Sequence, residues 1–262
     1  MSQIDRDLAA LMGRPIYRRG ALSMLAAGIG GAALAACEGR AAAGGADGQC
    51  LMTPAETKGP FPADGSGRGA INILDVEGVV RRDIRTSFAG MAGRADGVPL
   101  ELELQLADAG EGCAPLPGHA IYLWQNDAAG HYSLYNLPDE NYLRGLQAAD
   151  ERGMVRFTGI VPGCYGGRYP HCHFEVFASV ADAVGGGAPL LVSQLAFPEA
   201  ECRALYRSDA RYGESLRNLD ALPIERDFVF NDAPPEVLAA QTIELRGDAA
   251  RGYRGTATVT LG

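Results

Sequence analysis

His171 and His173 stand one residue apart, closing the run Pro162-Gly163-Cys164-Tyr165-Gly166-Gly167-Arg168-Tyr169-Pro170. Upstream lies the turn Gly130-His131-Tyr132-Ser133. On a strand, residues i and i+2 share a face, so both imidazoles can aim at one ion while Cys172 points away. Tyr132 and Tyr165 can add two phenols. Phenolate is a hard, anionic oxygen donor, and two of them beside two imidazoles suit a hard trivalent ion such as Fe(III) better than a soft one. Making a phenolate at neutral pH costs about 4 kcal/mol, because free tyrosine titrates roughly three units higher. A bound cation dominates local proton equilibria and can offset that cost. Taken singly the residues are blander. A His-x-His pair also serves structure, zinc or copper, Tyr165 could be a turn aromatic, Tyr132 a strand-end aromatic, and Arg168 a solvated loop charge. Gln194, in an apolar segment, could simply satisfy a buried backbone group.

These residues need a rigid frame, and the pattern around them reads as strands. Leu100-Glu101-Leu102-Glu103-Leu104-Gln105-Leu106 alternates apolar and polar without a break, the signature of a half-buried strand. Residues 120–125, 155–161, 171–177, 190–197 and 256–261 are further strand candidates, separated by clusters of Gly, Pro and Asp. Residues 198–206 and 234–241 read as short helices. The predicted class is all-β: a Greek-key β-sandwich or barrel with short helices and long loops.

Residues 1–20 are polar and carry Arg6, Arg14, Arg18 and Arg19; residues 21–36 are almost wholly Ala, Leu, Gly, Ile and Met. The apolar run is too short for a comfortable membrane span and reads as a signal peptide. Leu34-Ala35-Ala36-Cys37 has the form of a bacterial lipoprotein cleavage box, with Cys37 as the lipidated residue. Arg18-Arg19 suggests twin-arginine export, with an ordinary secretory signal as the other reading. Residues 37–49, rich in Gly and Ala, read as a tether, and residues 50–262 as one catalytic domain large enough for a sizeable core. The expected location is outside the cytoplasm, periplasmic or membrane-anchored through Cys37. The formal net charge of −9 makes nucleic acid an unsuitable partner. Beyond Cys37 there are five cysteines, so at least one stays unpaired. Cys172 is the choice for that one. Three pairings of the other four are open, and Cys50–Cys113 with Cys164–Cys202 is favoured.

From about residue 50 onward the chain resembles the intradiol ring-cleavage dioxygenases, the protocatechuate and catechol dioxygenase family. The resemblance rests on several segments in order: Thr53 to Phe61; Tyr122-Leu123-Trp124-Gln125-Asn126-Asp127 with Gly130-His131-Tyr132-Ser133; Tyr142-Leu143-Arg144-Gly145 with Phe157-Thr158; Pro162 through Tyr165 and Arg168 to His171-Cys172-His173-Phe174; and Ser193-Gln194-Leu195. It implies a mononuclear non-haem Fe(III) held by Tyr132, Tyr165, His171 and His173. Tyr165 would be axial, trans to His173, and would take a catechol proton when displaced. Arg168 matches the family's active-site arginine and would stabilise negative charge. Gln194 matches a polar residue near the substrate ring.

The implied reaction is oxidative cleavage of a small catechol-type substrate with O2, giving a cis,cis-muconate-type product. His119 and His131 match no ligand position. Tyr135, Asn141, Tyr142 and Arg144 could fold over a substrate mouth or only brace a loop. Departures from the family pattern leave the substrate open: Cys164 precedes Tyr165, only Gly166-Gly167 separates Tyr165 from Arg168, and no residue is assigned to a substrate carboxylate. The competing readings are an inactive, secreted β-sandwich binding module, or a zinc or copper protein using the same histidines.

Overall fold

The computed structural model describes residues 50–262. The signal peptide, the tether and Cys37 lie outside the described residues. Nine strands, β1 (Pro99–Asp108), β2 (Ala114–Pro115), β3 (Ala120–Trp124), β4 (Arg144–Ala148), β5 (Met154–Ile160), β6 (His171–Phe177), β7 (Leu191–Ala196), β8 (Glu244–Asp248) and β9 (Gly252–Leu261), form two sheets with short helices between them. One sheet runs β4-β3-β6-β7, all antiparallel. The other runs β2-β1-β9-β8, with β5 also on β1; β1 and β9 are parallel. The barrel half of the expectation is corrected: neither sheet closes among the described residues. The outer edges of β4, β5 and β7 meet Val80, Asp83 and Thr242 from connecting segments.

The alternation of β1 buries Leu100, Leu102, Leu104 and Leu106. They join Val155, Phe157 and Val259 of their own sheet and Ile121, Leu123, Cys172, Phe174, Val176 and Leu195 of the other in one apolar cluster. A second cluster covers the opposite face of β3 and β6, with Ala120, Tyr122, Trp124 and Phe177 meeting Phe61, Ile73 and Val79 from the N-terminal segment. Both faces of β6 are therefore buried along its whole length.

The predicted helices appear at Glu199–Ser208 and Pro235–Ala240. Helices at Val180–Val184 and Ser215–Ala221 and strands β2, β4 and β8 are additions to the sequence reading. Cys50–Cys113 is bridged, and Cys172 is free as expected. The Cys164–Cys202 bridge is corrected: both thiols are free and buried. The Cys164 thiol instead donates to the Arg168 carbonyl at 3.4 Å.

Candidate active site

Strand register sets the site's floor. His173 pairs with Trp124 on one side and Gln194 on the other, and Trp124 pairs with Arg144. These four side chains lie in a row across one face, with His171 and Glu175 two residues either way on the same face. Trp124 stacks on His173, ring centroids 5.0 Å apart and planes 4° apart.

The phenols come from two turns zipped together. Asp127 Oδ1 accepts from the Ala129 and His131 amides, which folds the 127–131 turn. Asn126 Nδ2 donates to the Gly163 carbonyl and the Gly163 amide to the Asp127 carbonyl, joining that turn to 161–165. Gly130, at φ +87°, permits the contact, since a Cβ there would sit 2.9 Å from Tyr165 Cβ. Ser215 and Asn218 of the 215–221 helix hold the backbone of Cys164 from behind.

The result is a knot of four donor atoms. Tyr132 Oη lies 3.4 Å from Tyr165 Oη, 3.5 Å from His171 Nε2 and 3.2 Å from His173 Nε2. Tyr165 Oη is 3.4 Å from His171 Nε2, and the two imidazole Nε2 atoms are 3.0 Å apart. His171 Nδ1 must donate to the Tyr169 carbonyl 2.5 Å away, which leaves Nε2 with its lone pair facing the knot. Burial, and then the charge of Arg168, hold the His171 ring neutral, far below its usual range. Burial does the same at His173, helped by His171. Burial raises both phenols, and at Tyr132 the neighbouring Tyr165 adds to it.

This donor set fits a cation. Four ligands each ~2 Å from one centre stand roughly 3 Å apart, close to the separations seen. The His173 Nδ1 atom and the Trp124 indole nitrogen beside it are buried without partners. Within this set the phenols are the donors able to carry negative charge, because both imidazoles are held neutral.

Arg168 closes one side. Its Nη1 lies 3.1 Å from His171 Nε2, its Nε donates to Asp227 Oδ2 at 2.9 Å, and its Nη2 donates to Gln194 Oε1 at 2.6 Å. Burial opposes the charge of Arg168, but Asp227 together with Tyr165 and Tyr132 offsets it, and the guanidinium stays charged. Gln194 Nε2 donates to the Thr57 carbonyl, so both ends of its amide are committed.

A family model described as Dioxygenase matches residues 82–202. No curated protein matches the chain. Among solved structures, an intradiol ring-cleavage dioxygenase from Tetranychus urticae is 22% identical, covering 81% of this chain and 95% of its own, with a TM-score of 0.61. The dioxygenase domain of a carbohydrate-binding fusion from Streptomyces sp. SirexAA-E is 24% identical over 80% of this chain and 98% of its own, with a TM-score of 0.48. The 3-chlorocatechol 1,2-dioxygenase of Rhodococcus opacus 1CP is 21% identical over 80% of this chain and 72% of its own, also with a TM-score of 0.48. The fold is that of an intradiol ring-cleavage dioxygenase, and residues 82–202 carry the matching family pattern.

Much of the site's support comes from outside the matched residues. Residues 53–63 cross the sheet face as a strap. The Thr53 amide donates to the Thr260 carbonyl, the Glu56 amide to that of Val192, and the Ser193 hydroxyl to that of Pro54. Lys58 Nζ sits 2.7 Å from Glu175 Oε1, with Asp64 on its other side. Burial raises Glu175 to about 7, against the pull of Lys58. Phe61 packs on Tyr132 with centroids 4.8 Å apart.

Of the loop residues, Arg144 is fully buried and donates to the Phe61, Pro62 and Ser133 carbonyls, so it braces the strap. Tyr135, Asn141 and Tyr142 are likewise tied to Ala63, Phe88 and Asp127. His131 is exposed and His119 half-buried, both apart from the knot. A groove of about 700 Å³ lies elsewhere, between Ala200–Ser208 and Gly247–Tyr253. The sequence reading missed two supporting residues. Glu175 extends the His-x-His alternation by one step and was legible from it; Asp227 carries no local signal.

Proposed function

We propose that this protein cleaves a catechol-type aromatic ring with O2 between its hydroxyl-bearing carbons, using Fe(III), to a cis,cis-muconate-type dicarboxylate. Tyr132, Tyr165, His171 and His173 would hold the iron. The observation that carries the reading is the convergence of those two phenols and two neutral imidazoles within 3.0–3.5 Å of one another. Bound ferric iron would supply a chelation point for the deprotonated catechol and make its ring reactive toward O2.

The chain's own residues do the rest. Tyr165 is 8% exposed while the other three are at or below 2%, so it is the phenol with room to swing out and accept a catechol proton at Oη. Arg168 presents Nη1 to the site as a fixed positive edge, where negative charge on the substrate gains most from a preorganised donor. Gln194 and Asp227 hold that edge in place. Burial of the knot keeps bulk water from the reacting ring. In the same reading, the leader and Cys37 deliver the domain to the outside of the cytoplasm as a lipoprotein.

The test is to purify the protein, measure its metal content and visible spectrum, and supply a panel of catechols under ¹⁸O2. Iron, a tyrosinate-to-Fe(III) absorption band, and a ring-opened dicarboxylate holding both labelled atoms are the expected results. Zinc or copper in the same site overturns the iron assignment. A colourless protein that binds catechols without turnover overturns the enzymatic one.

A further inference from the structure

We propose that Asp227, from a segment beyond the family-matched residues, is the positioning residue that aims Arg168 at the donor knot. A guanidinium has five N–H donors in a rigid plane, and its direction is set by how many are committed elsewhere. Asp227 takes the Nε edge, through Oδ2 at 2.9 Å and Oδ1 at 3.4 Å from Nη2. Gln194 takes the other side of Nη2 at 2.6 Å. Phe228 lies under the plane, 4.8 Å from Cζ. Nη1 is the end left facing the site, 3.1 Å from His171 Nε2.

Asp227 can serve as a jig because it is itself immobile. It is fully buried, Oδ2 accepts from the Tyr169 amide at 2.7 Å, and Oδ1 accepts from the Val229 amide at 2.9 Å. The Tyr169 bond matters twice, since the Tyr169 carbonyl accepts the His171 Nδ1 proton. Asp227→Asn keeps a side-chain oxygen for the Tyr169 amide, so that peptide stays held and the change falls on the aim of Arg168. Asp227 also balances the arginine charge, which would otherwise stand unpaired against any cation held by His171.

The consequence for catalysis rests on the proposed function; the aim of Arg168 does not. The experiment therefore has a metal-free arm. Nitrogen-15 spectra of the histidine rings in metal-free protein report whether His171 Nε2 accepts a hydrogen bond. Asp227→Asn should shift that resonance as Arg168→Gln does, and in loaded protein should lower iron affinity and kcat by roughly 10- to 100-fold. A folded Asp227→Asn protein with the wild-type His171 signal overturns the proposal.

The double variant Arg168→Gln/Asp227→Asn removes both charges and keeps the test decisive if Asp227→Asn alone does not fold. Added to Arg168→Gln, Asp227→Asn should leave the His171 signal and residual kcat unchanged. An additive loss, or a double variant that cannot fold, overturns the proposal, because Asp227 would then act on the backbone and not through Arg168. A wild-type protein that turns over no catechol would sink the functional reading while the metal-free arm still decides this one.

Discussion

Glu56 shows how a single strap residue feels the site. Burial is the largest influence on its carboxyl; Asp232 and Asp227 also raise it, Gln241 and Arg168 lower it, and it ends at about 7 against an ordinary 4.5. A folded pKa above the unfolded one means the native state holds the proton more tightly. Its contribution to stability is complete below pH 4.5 and is lost as pH rises through about 7. Glu56→Gln removes that loss. The variant should match wild type near pH 4 and exceed it by up to about 3 kcal/mol at pH 8, read from denaturant unfolding at the two pH values. Equal stability at pH 8 would mean that Glu56 is solvated in the native protein. At this scale the site was partly legible. Tyr132, Tyr165, Arg168, His171 and His173 announce themselves because donor type and i, i+2 spacing carry local chemistry. Asp227 does not, since its partner Arg168 is 59 residues away and a lone aspartate in a loop has no pattern.

Among the elements, the strap of residues 53–63 is the least regular and the most consequential. It forms no continuous β-ladder and has no periodicity of its own, so only the family resemblance picks out Thr53 to Phe61, while β1, β3, β5, β6 and β7 stand out by alternation or by short apolar runs. β4 and β8 escaped for a related reason: Arg144 and Arg246 occupy strand positions that apolar counting rejects. The strap touches the knot most directly at Gly59, whose φ is +69° and whose missing Cβ would fall 3.2 Å from His173 Cε1. Gly59→Ala should cost about 1–2 kcal/mol from the left-handed backbone alone and should also displace the His173 ring. Gly90→Ala is the control, because φ is +80° there and nothing lies within 4 Å. Iron titration of the two variants separates the effects. Gly59→Ala should bind iron more weakly than Gly90→Ala at similar stability. Equal affinities would mean that the strap yields before the histidine does.

Across the whole molecule, the strap and the C-terminal strand meet at one corner, and the Cys50–Cys113 bridge closes it. Cys50 lies just before the strap and Cys113 ends the turn after β1. Beside them the Thr53 amide donates to the Thr260 carbonyl, and the Ala109 amide to that of Leu261. The bridge joins residues 63 apart in sequence, so in the unfolded chain it removes the freedom of a long loop. Its stabilisation should amount to about 2–4 kcal/mol, exerted chiefly on the unfolded state. The native site should feel little of it, because the strap keeps separate anchors on Val192, Ser193, Gln194 and Glu175 between the corner and His173. Cys50→Ser/Cys113→Ser should therefore lower the unfolding midpoint while leaving the iron affinity of the folded protein within about two-fold of wild type, a change of roughly 0.4 kcal/mol. Calorimetry and iron titration on the same preparation check both halves. A fall in iron affinity that tracks the fall in stability would show the bridge holding the strap taut against His173, and the corner would then belong to the active site.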